Sequence, residues 1–355
     1  MGNILRHQEY IADIQTCASD MLPAWDKLKG KTIVISGAAG MIASVIIDIL
    51  MYRNVNYGDD IRVIAVGRNA AVAKARFCDC FEDEKHFEYI VHDVCEAFGD
   101  EIEHADYIIH AASNTHPKAY ATDPIGTITT NVEGTKNLLD LARRCGCERF
   151  VFISSVEIYG ENRGDVDKFD EGYLGFLDCN TMRAGYPESK RLGETLCNAY
   201  KSAYGIDFVI PRLSRVYGPT LLDTDTKAIS QFIHKAVNQE DIVLKSEGKQ
   251  LYSYTYVTDA AMGVLYAMLL GESSHAYNVA DKASDISLRD LAQMLAELAG
   301  TRIIFELPDK VESAGYSKAT KALLDSASME KLGWAAQIHM KEGLAKTVRA
   351  IRACR

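Results

Sequence analysis

Thr32-Ile-Val-Ile-Ser36 runs directly into Gly37-Ala-Ala-Gly40-Met41-Ile42-Ala43, and from there into an apolar run that ends at Leu50. Four of the first five residues are β-branched, and they do not alternate with polar ones, the pattern of a strand covered on both faces. Gly37 permits the tight turn that must follow. Gly40 lets the backbone come close to a ligand, and Ala43 keeps the third position small so that helix and sheet pack together. A helix opening here turns its unpaired amides and the positive end of its dipole outward, toward an anion such as a pyrophosphate. Strand, glycine turn and helix in this order predict a dinucleotide site.

The same rhythm continues outward from this segment. Short apolar runs at Ile61–Val66, Phe87–His92, Tyr107–Ala111, Phe150–Ser154 and Phe208–Leu213 read as strands. Helix-patterned segments lie between them at Met41–Tyr52, Asn131–Cys145 and Tyr186–Tyr204. Alternation of this kind builds βαβ units, so the expected fold is α/β, a doubly wound parallel (Rossmann) sheet. After residue 218 short strands (Ile242–Lys245, Tyr252–Tyr256, Ile303–Glu306) mix with helices (Asp259–Leu270, Ser287–Ala299, Leu344–Ile351). We expect three parts. Residues 1–30 are a helical lead-in, with Ile11, Ile14 and Met21 near helical spacing before Trp25 and Leu28. Residues 31–218 form the dinucleotide-binding domain, and 219–355 mainly form a smaller α/β lobe over the carboxyl edge of the sheet.

Composition narrows the function. The chain of 355 residues carries 39 Lys+Arg against 49 Asp+Glu, a formal charge of −10, which disfavours a nucleic-acid binder because that needs basic clusters to displace counterions. An anionic small ligand needs only a local positive site. Nine cysteines are scattered, and the pairs Cys78/Cys80 and Cys145/Cys147 lack metal-ligand spacing or a companion histidine cluster, so no metal site is expected. The bland reading is reduced thiols in a cytoplasmic protein. The first residues mix charges into their apolar positions, unlike a signal peptide, and Arg6 stands where myristoylation wants Ser or Thr. The longest apolar run, Met41–Leu50, contains Asp48 and is too short to span a membrane.

The second strand ends in Val66-Gly67-Arg68-Asn69, with no carboxylate to grip a ribose hydroxyl. A guanidinium beside glycine suits a 2′-phosphate better, so NADP(H) is favoured, with NAD possible. Asp93 is placed to hydrogen-bond the adenine amino group. The strand Phe150-Val-Phe-Ile-Ser154-Ser155 ends in hydroxyls and is followed by Val156-Glu157, and Tyr186-Pro-Glu-Ser-Lys190 comes some thirty residues later. On a helix, Tyr186 and Lys190 share a face. An ammonium there lowers the phenol's pKa, and the phenol can then exchange a proton with a substrate oxygen that Ser155 also holds.

With these residues together, the chain from about Gly30 to Asp259 resembles the extended short-chain dehydrogenase/reductases (the NAD-dependent epimerase/dehydratase family) that modify nucleotide-activated sugars. The resemblance includes His110-Ala-Ala-Ser113, Asn131-Val-Glu-Gly-Thr135 and Arg212 to Pro219. The stretch Arg183-Ala-Gly-Tyr-Pro-Glu-Ser-Lys-Arg-Leu-Gly-Glu-Thr195 looks most like UDP-glucuronate decarboxylases, with dTDP-glucose 4,6-dehydratases and UDP-sugar 4-epimerases close behind. The resemblance implies Tyr186 as base, Lys190 on the nicotinamide ribose and Ser155 on the substrate oxygen. It also implies cofactor contacts at Gly37, Gly40, Met41, Ile42, Arg68, Asp93, Val94, Ala111, Ala112, Ser113, Ser154, Arg212 and Val216. A nucleotide-sugar substrate and a homodimer built on the helices near Asn131 and Tyr186 are further implications.

The chain also departs from that family's pattern. Dehydratases usually carry Asp-Glu after the serine strand, and here the pair is Val156-Glu157, one proton carrier short. Decarboxylases share the glutamate but have an arginine where this chain has Tyr252, and a phenol supplies no charge. Arg215 replaces a frequent asparagine, and Lys227 stands where an arginine is usual, so Arg215, Lys227 and Tyr252 are expected on the substrate side. Arg68 with these changes points to NADPH-dependent reduction of a nucleotide-linked keto sugar. The alternatives are a cofactor-recycling decarboxylase, epimerase or dehydratase, and a non-catalytic nucleotide-binding regulatory protein, which would have little use for Tyr186 and Lys190 together.

Overall fold

The computed structural model describes residues 4–20, 24–115, 117–306 and 320–354, so Met21 lies outside the described residues. Strands β1 (Thr32–Ser36), β2 (Arg62–Gly67), β3 (Phe87–Val91), β4 (Tyr107–His110), β5 (Arg149–Phe152) and its short continuation β6 (Ser154–Ser155) lead to β7 (Phe208–Leu213). Together with β11 (His275–Val279) they form one sheet in the order β11-β7-β5-β4-β1-β2-β3, β6 extending beside β7, with every pairing parallel. Side chains alternate between two apolar cores. Ile33 and Ile35 face one, and Val34 faces the other. This is why the strand sequence is apolar without alternation.

Helices cover both faces. On one lie α1 (Gln8–Ser19), α2 (Met41–Tyr57) and, from late in the chain, α8 (Val257–Leu270). On the other, α5 (Pro124–Cys145) packs along α6 (Gly185–Tyr204). In chain order α3 (Ala70–Arg76), α4 (Pro117–Thr122) and α7 (Ala228–Val237) fall between these helices. Helix α2 is enclosed almost all round, and its buried Asp48 is answered by the Tyr10 hydroxyl and the Arg76 guanidinium. That explains an acid inside the longest apolar run. Among the described residues no helix is long and apolar enough to cross a membrane.

The smaller lobe has its own core. It contains β8 (Arg215–Tyr217), β9 (Ile242–Leu244) and β10 (Leu251–Tyr256). β12 (Asp285–Ser287) and β14 (Lys321–Ala322) flank β10, β8 also pairs with it, and β9 pairs with β13 (Ile303–Phe305). Within the stretch expected to be mainly the smaller lobe, α8 and β11 return to the large sheet. Residues 257–269 are buried without interruption, so α8 has no polar face to leave in water and must lie between other elements.

Candidate active site

The carboxyl ends of β1, β4 and β6 face the smaller lobe across one cleft. At its cofactor end, Gly37 sits at φ 65 with the backbone of Ala112 only 2.7 Å from where a Cβ would stand, so only glycine fits without strain. The Ser36 hydroxyl accepts the amides of Ala111 and Ala112 at 3.2 and 3.3 Å and bonds His110 Nδ1 at 2.9 Å, tying β1 to the exit of β4. Burial drives His110 well below its usual range, so its ring is neutral. Gly40 caps α2 with no side-chain acceptor, leaving the first helix amides for a ligand. Gly37, Gly40, Met41, Ile42, Ala111, Ser113 and Val216 all line the cleft. These residues fit a dinucleotide pyrophosphate.

Other expected cofactor contacts stand apart. Val94 is buried against Gly134 of α5, and Arg68 and Asp93 stand outside the lining. Arg68 is exposed, its guanidinium 3.7 Å from Asp93. The Asp93 carboxyl lies below its usual range, chiefly through the backbone amide of Cys95 and then through Arg68. The Tyr89 hydroxyl fills the space a side chain at position 67 would need, 2.5 Å from the missing Cβ. Arg212, expected at the cofactor, is bonded through all three of its nitrogens. Its guanidinium holds Glu194 through two nitrogens at 3.0 and 2.7 Å, and its third binds the Tyr159 hydroxyl and the Glu171 carbonyl at 2.9 Å. It supports the cleft from below and is not among the lining residues.

Tyr186 and Lys190 share the inner face of α6, as their spacing predicts. Tyr186 bonds the Ser155 hydroxyl, and burial pushes its phenol up to about 12. Lys190 donates to the Ile153 carbonyl at 2.8 Å. Burial lowers it to about 7 against the opposing pull of Glu194. Lys190 is thus turned to a backbone carbonyl, and burial is the dominant influence on the phenol. Tyr120 stacks on Tyr186 with ring centroids 4.9 Å apart. Nothing in the local sequence around Tyr120 signals this contact.

On the substrate side, Glu157 lies between two guanidiniums, Arg183 Nη2 at 2.9 Å and Arg215 Nη2 at 3.3 Å. Arg215 pairs with Tyr254 in register, which puts Tyr252, two residues along β10, on the same face as its diagonal neighbour. The Arg215 guanidinium sits 3.5 Å from the Tyr252 ring centroid. A positive charge thus stands beside position 252, delivered from the next strand. Arg183 Nε and Nη1 and Arg215 Nη1 are buried and find no acceptor among the described residues. Two cations share one carboxylate, so the cluster keeps a surplus of one positive charge. Lys227 lines the cleft but is held at 2.9 Å by Asp225 in its own turn. Sequence reasoning gave Arg183 no role, although it stands three residues before Tyr186.

Comparison with known proteins matches this geometry. The family model described as "NAD dependent epimerase/dehydratase family" covers residues 33–280. UDP-glucuronic acid decarboxylase 1 of Xenopus tropicalis is 31% identical over 322 residues, spanning 91% of this chain and 72% of that protein. UDP-glucuronic acid decarboxylase 3 of Arabidopsis thaliana is 31% identical over 312 residues, 88% of this chain and 86% of its own. Among solved structures, the dTDP-glucose 4,6-dehydratase DesIV of Streptomyces venezuelae, with NAD and TYD bound, superposes with TM-score 0.78 at 23% identity. It covers 91% of this chain and 97% of its own. UDP-glucuronic acid 4-epimerase of Bacillus cereus, with UDP-glucuronic acid and NAD, gives 0.77 at 21% identity, over 91% of this chain and 100% of its own. At such identities the two structures support the fold alone, and the sequence matches carry the family. The chain, with its glycine cradle and its Tyr186/Lys190 pair, belongs to the NAD-dependent epimerase/dehydratase family of extended short-chain dehydrogenase/reductases.

Proposed function

We propose that this enzyme recycles its cofactor on a nucleotide-linked uronic acid, as a decarboxylase. The observation that carries the reading is the Arg183–Glu157–Arg215 cluster beside Tyr186, whose surplus charge and unmet donors suit a sugar carboxylate. The curated relatives named above are decarboxylases of UDP-glucuronic acid, which favours this alternative over the net reduction expected from Arg68. A nicotinamide dinucleotide in the cleft supplies a hydride acceptor that gives the hydride back within one turnover.

The chain's own residues handle the protons. As its phenolate, the minor form while burial holds the phenol up, Tyr186 takes the proton of the hydroxyl on the carbon β to the carboxylate, with Ser155 holding that oxygen. Oxidation there makes a β-keto acid. Its C–CO2 bond breaks, the electron pair passes into the carbonyl as an enolate, and the carbon takes up a proton in exchange. Arg183 and Arg215 hold the departing carboxylate, and Tyr186 returns its proton to the oxygen when the carbonyl is reduced. Incubation with UDP-glucuronate and both cofactors is expected to release CO2 while NADPH absorbance stays flat. Stoichiometric loss of NADPH with a keto sugar would overturn the proposal in favour of reduction.

Cofactor choice is a separate part of the proposal. β2 ends at Gly67 and passes into Arg68 with no carboxylate of its own, and the exposed Arg68 guanidinium, 3.7 Å from Asp93, offers a cation to a 2′-phosphate, so NADP(H) is expected to bind more tightly than NAD(H). Dissociation constants for the two decide it, and a strong NAD preference would reject this part alone. For assembly we propose a homodimer through α5 and α6, which leave Ile125, Ile128 and Leu192 exposed. Light scattering that gives a monomer mass at micromolar concentration would count against it.

A further inference from the structure

A third residue shares the face of α6 that carries Tyr186 and Lys190. Glu194 follows Lys190 by four positions, so the three form an i, i+4, i+8 row. The row meets three consecutive residues at the end of the serine strand. Lys190 Nζ donates to the Ile153 carbonyl at 2.8 Å, and the Ser154 hydroxyl donates to Glu194 Oε1 at 2.6 Å. Ser155 bonds Tyr186. The ring of Phe152 occupies the space a side chain at Gly193 would take, so helix and strand lie in direct contact beside the row.

Glu194 is fixed from behind. Arg212 grips both of its oxygens, and Arg212 stands opposite Ser154 in the β6–β7 register. The other titratable groups around Lys190 and Glu194 are neutral or committed elsewhere. His110 of β4 is held neutral by burial, and burial pushes the Cys197 thiol of α6 up, out of its ionising range. Tyr159 bonds Arg212, and Glu171 accepts from the amide of Asn278. Glu194, one turn along α6 from Lys190 and held by Arg212, is the carboxylate that raises Lys190 against its burial.

We propose that Glu194 is a positioning residue of the reaction, holding Ser154 so that Ser155 stays aligned with Tyr186 and supplying the countercharge that keeps Lys190 an ammonium. It touches neither substrate nor cofactor. Glu194→Gln keeps an acceptor for Ser154 but loses the charge, so Lys190 gives up its proton at lower pH. Ser154→Ala does the reverse, removing the hydrogen bond and leaving the charge.

The test rests on the proposed decarboxylation for one of its readouts. Rates with UDP-glucuronate, with NAD+ and NADP+ present, are measured from pH 6 to 10 for wild type and both variants. For Glu194→Gln the alkaline limb of kcat is expected to move down by about one pH unit or more, which makes kcat about tenfold lower on that limb. KM should stay within about twofold, because no substrate contact is lost. Ser154→Ala is expected to lower kcat with the limb in place. A Glu194→Gln profile that overlays the wild type, or one that falls equally at every pH in step with the folded fraction, overturns the proposal. If that variant does not fold, Glu194→Asp replaces it. The limb should then stay while kcat drops, and an unchanged kcat or a moved limb overturns the idea. If the wild type is inert toward UDP-glucuronate, the proposed reaction falls on its own, and cofactor affinity becomes the judge. Glu194→Gln should then bind NAD+ and NADP+ several-fold more weakly than wild type above pH 7, and equal affinity at every pH would reject the positioning role.

Discussion

Tyr186 has its phenol pushed up to about 12 by burial, with Tyr120 stacked on one side and Ser155 as hydrogen-bond partner. Its place in the cleft beside Ser155 assigns it the proton exchange despite that burial, and losing its oxygen removes the step while keeping the ring's packing. Tyr186→Phe is expected to lower turnover by about 10²–10⁴-fold with the unfolding midpoint nearly unchanged, and full turnover would reject the catalytic assignment. Lys190 makes a second prediction with a definite sign. Its folded-state value is lowered to about 7 by burial, whereas the unfolded chain keeps that proton up to the ordinary lysine range. Between those two values the unfolded state binds more protons, so this group makes the fold more stable as pH rises and its cost is fully present below the window. In urea unfolding, wild type should gain on Lys190→Met from pH 7 to 9, and a constant gap would contradict the buried ammonium. Tyr186 and Lys190 are legible in the sequence because both sit on one helix, where spacing dictates facing. The Arg183–Glu157–Arg215 cluster joins three separate segments, and no spacing rule connects them. Arg212 shows the same limit: its charge is visible in the sequence, but Glu194, with which it pairs, comes from another element.

At the scale of elements, the strands fall close to where apolar runs place them, since a strand covered on both faces leaves no other use for such a run. Helix α5 is the exception. It starts at Pro124, well before the expected Asn131, with Asp123 as N-cap accepting the amide of Gly126 at 3.0 Å and proline in its first turn. That start signal is in the sequence, but the β-branched run Thr127–Thr130 that follows it reads against helix. Helix α6 depends on an absence. Gly193 has the Phe152 ring where a Cβ would be, and this contact sets how closely the catalytic row approaches the serine strand. Gly193→Val forces the helix outward or the ring aside. It is expected to cost about 1–3 kcal/mol of stability and to reduce turnover beyond the loss of folded protein. Activity normalised to the folded fraction checks this, and a normalised rate equal to wild type would mean that the row tolerates the displacement.

Across the whole molecule, the two lobes are tied by segments distant in sequence. Linear order hides which face a late helix will cover, and the all-round burial of α8 is what accounts for its place on the large sheet. The N-terminal helix joins the parts again. α1 packs on α2 and α8, and its Asp13 binds both Lys346 of the closing helix Met340–Ala353 at 2.7 Å and the Tyr256 hydroxyl at 2.9 Å. Glu9 adds a pair with Arg349 at 2.7 Å, closer to solvent. Asp13 is the member to test, because its side chain is almost fully buried and burial pushes its carboxyl up despite both partners. Asp13→Ala leaves the Tyr256 phenol without its acceptor and the Lys346 ammonium with Glu342 at 3.2 Å. The expected cost is about 2–3 kcal/mol, below the roughly 3–5 kcal/mol of a fully buried pair because Lys346 can still reach water. Asp13→Asn, which keeps an acceptor for Tyr256, should lose less. Glu9→Ala should change stability by no more than about 1 kcal/mol, as an exposed pair does. Urea midpoints for the three variants rank these contributions, and an Asp13→Ala midpoint equal to that of Glu9→Ala would show that the N-terminal helix only rests on the two lobes and does not join them.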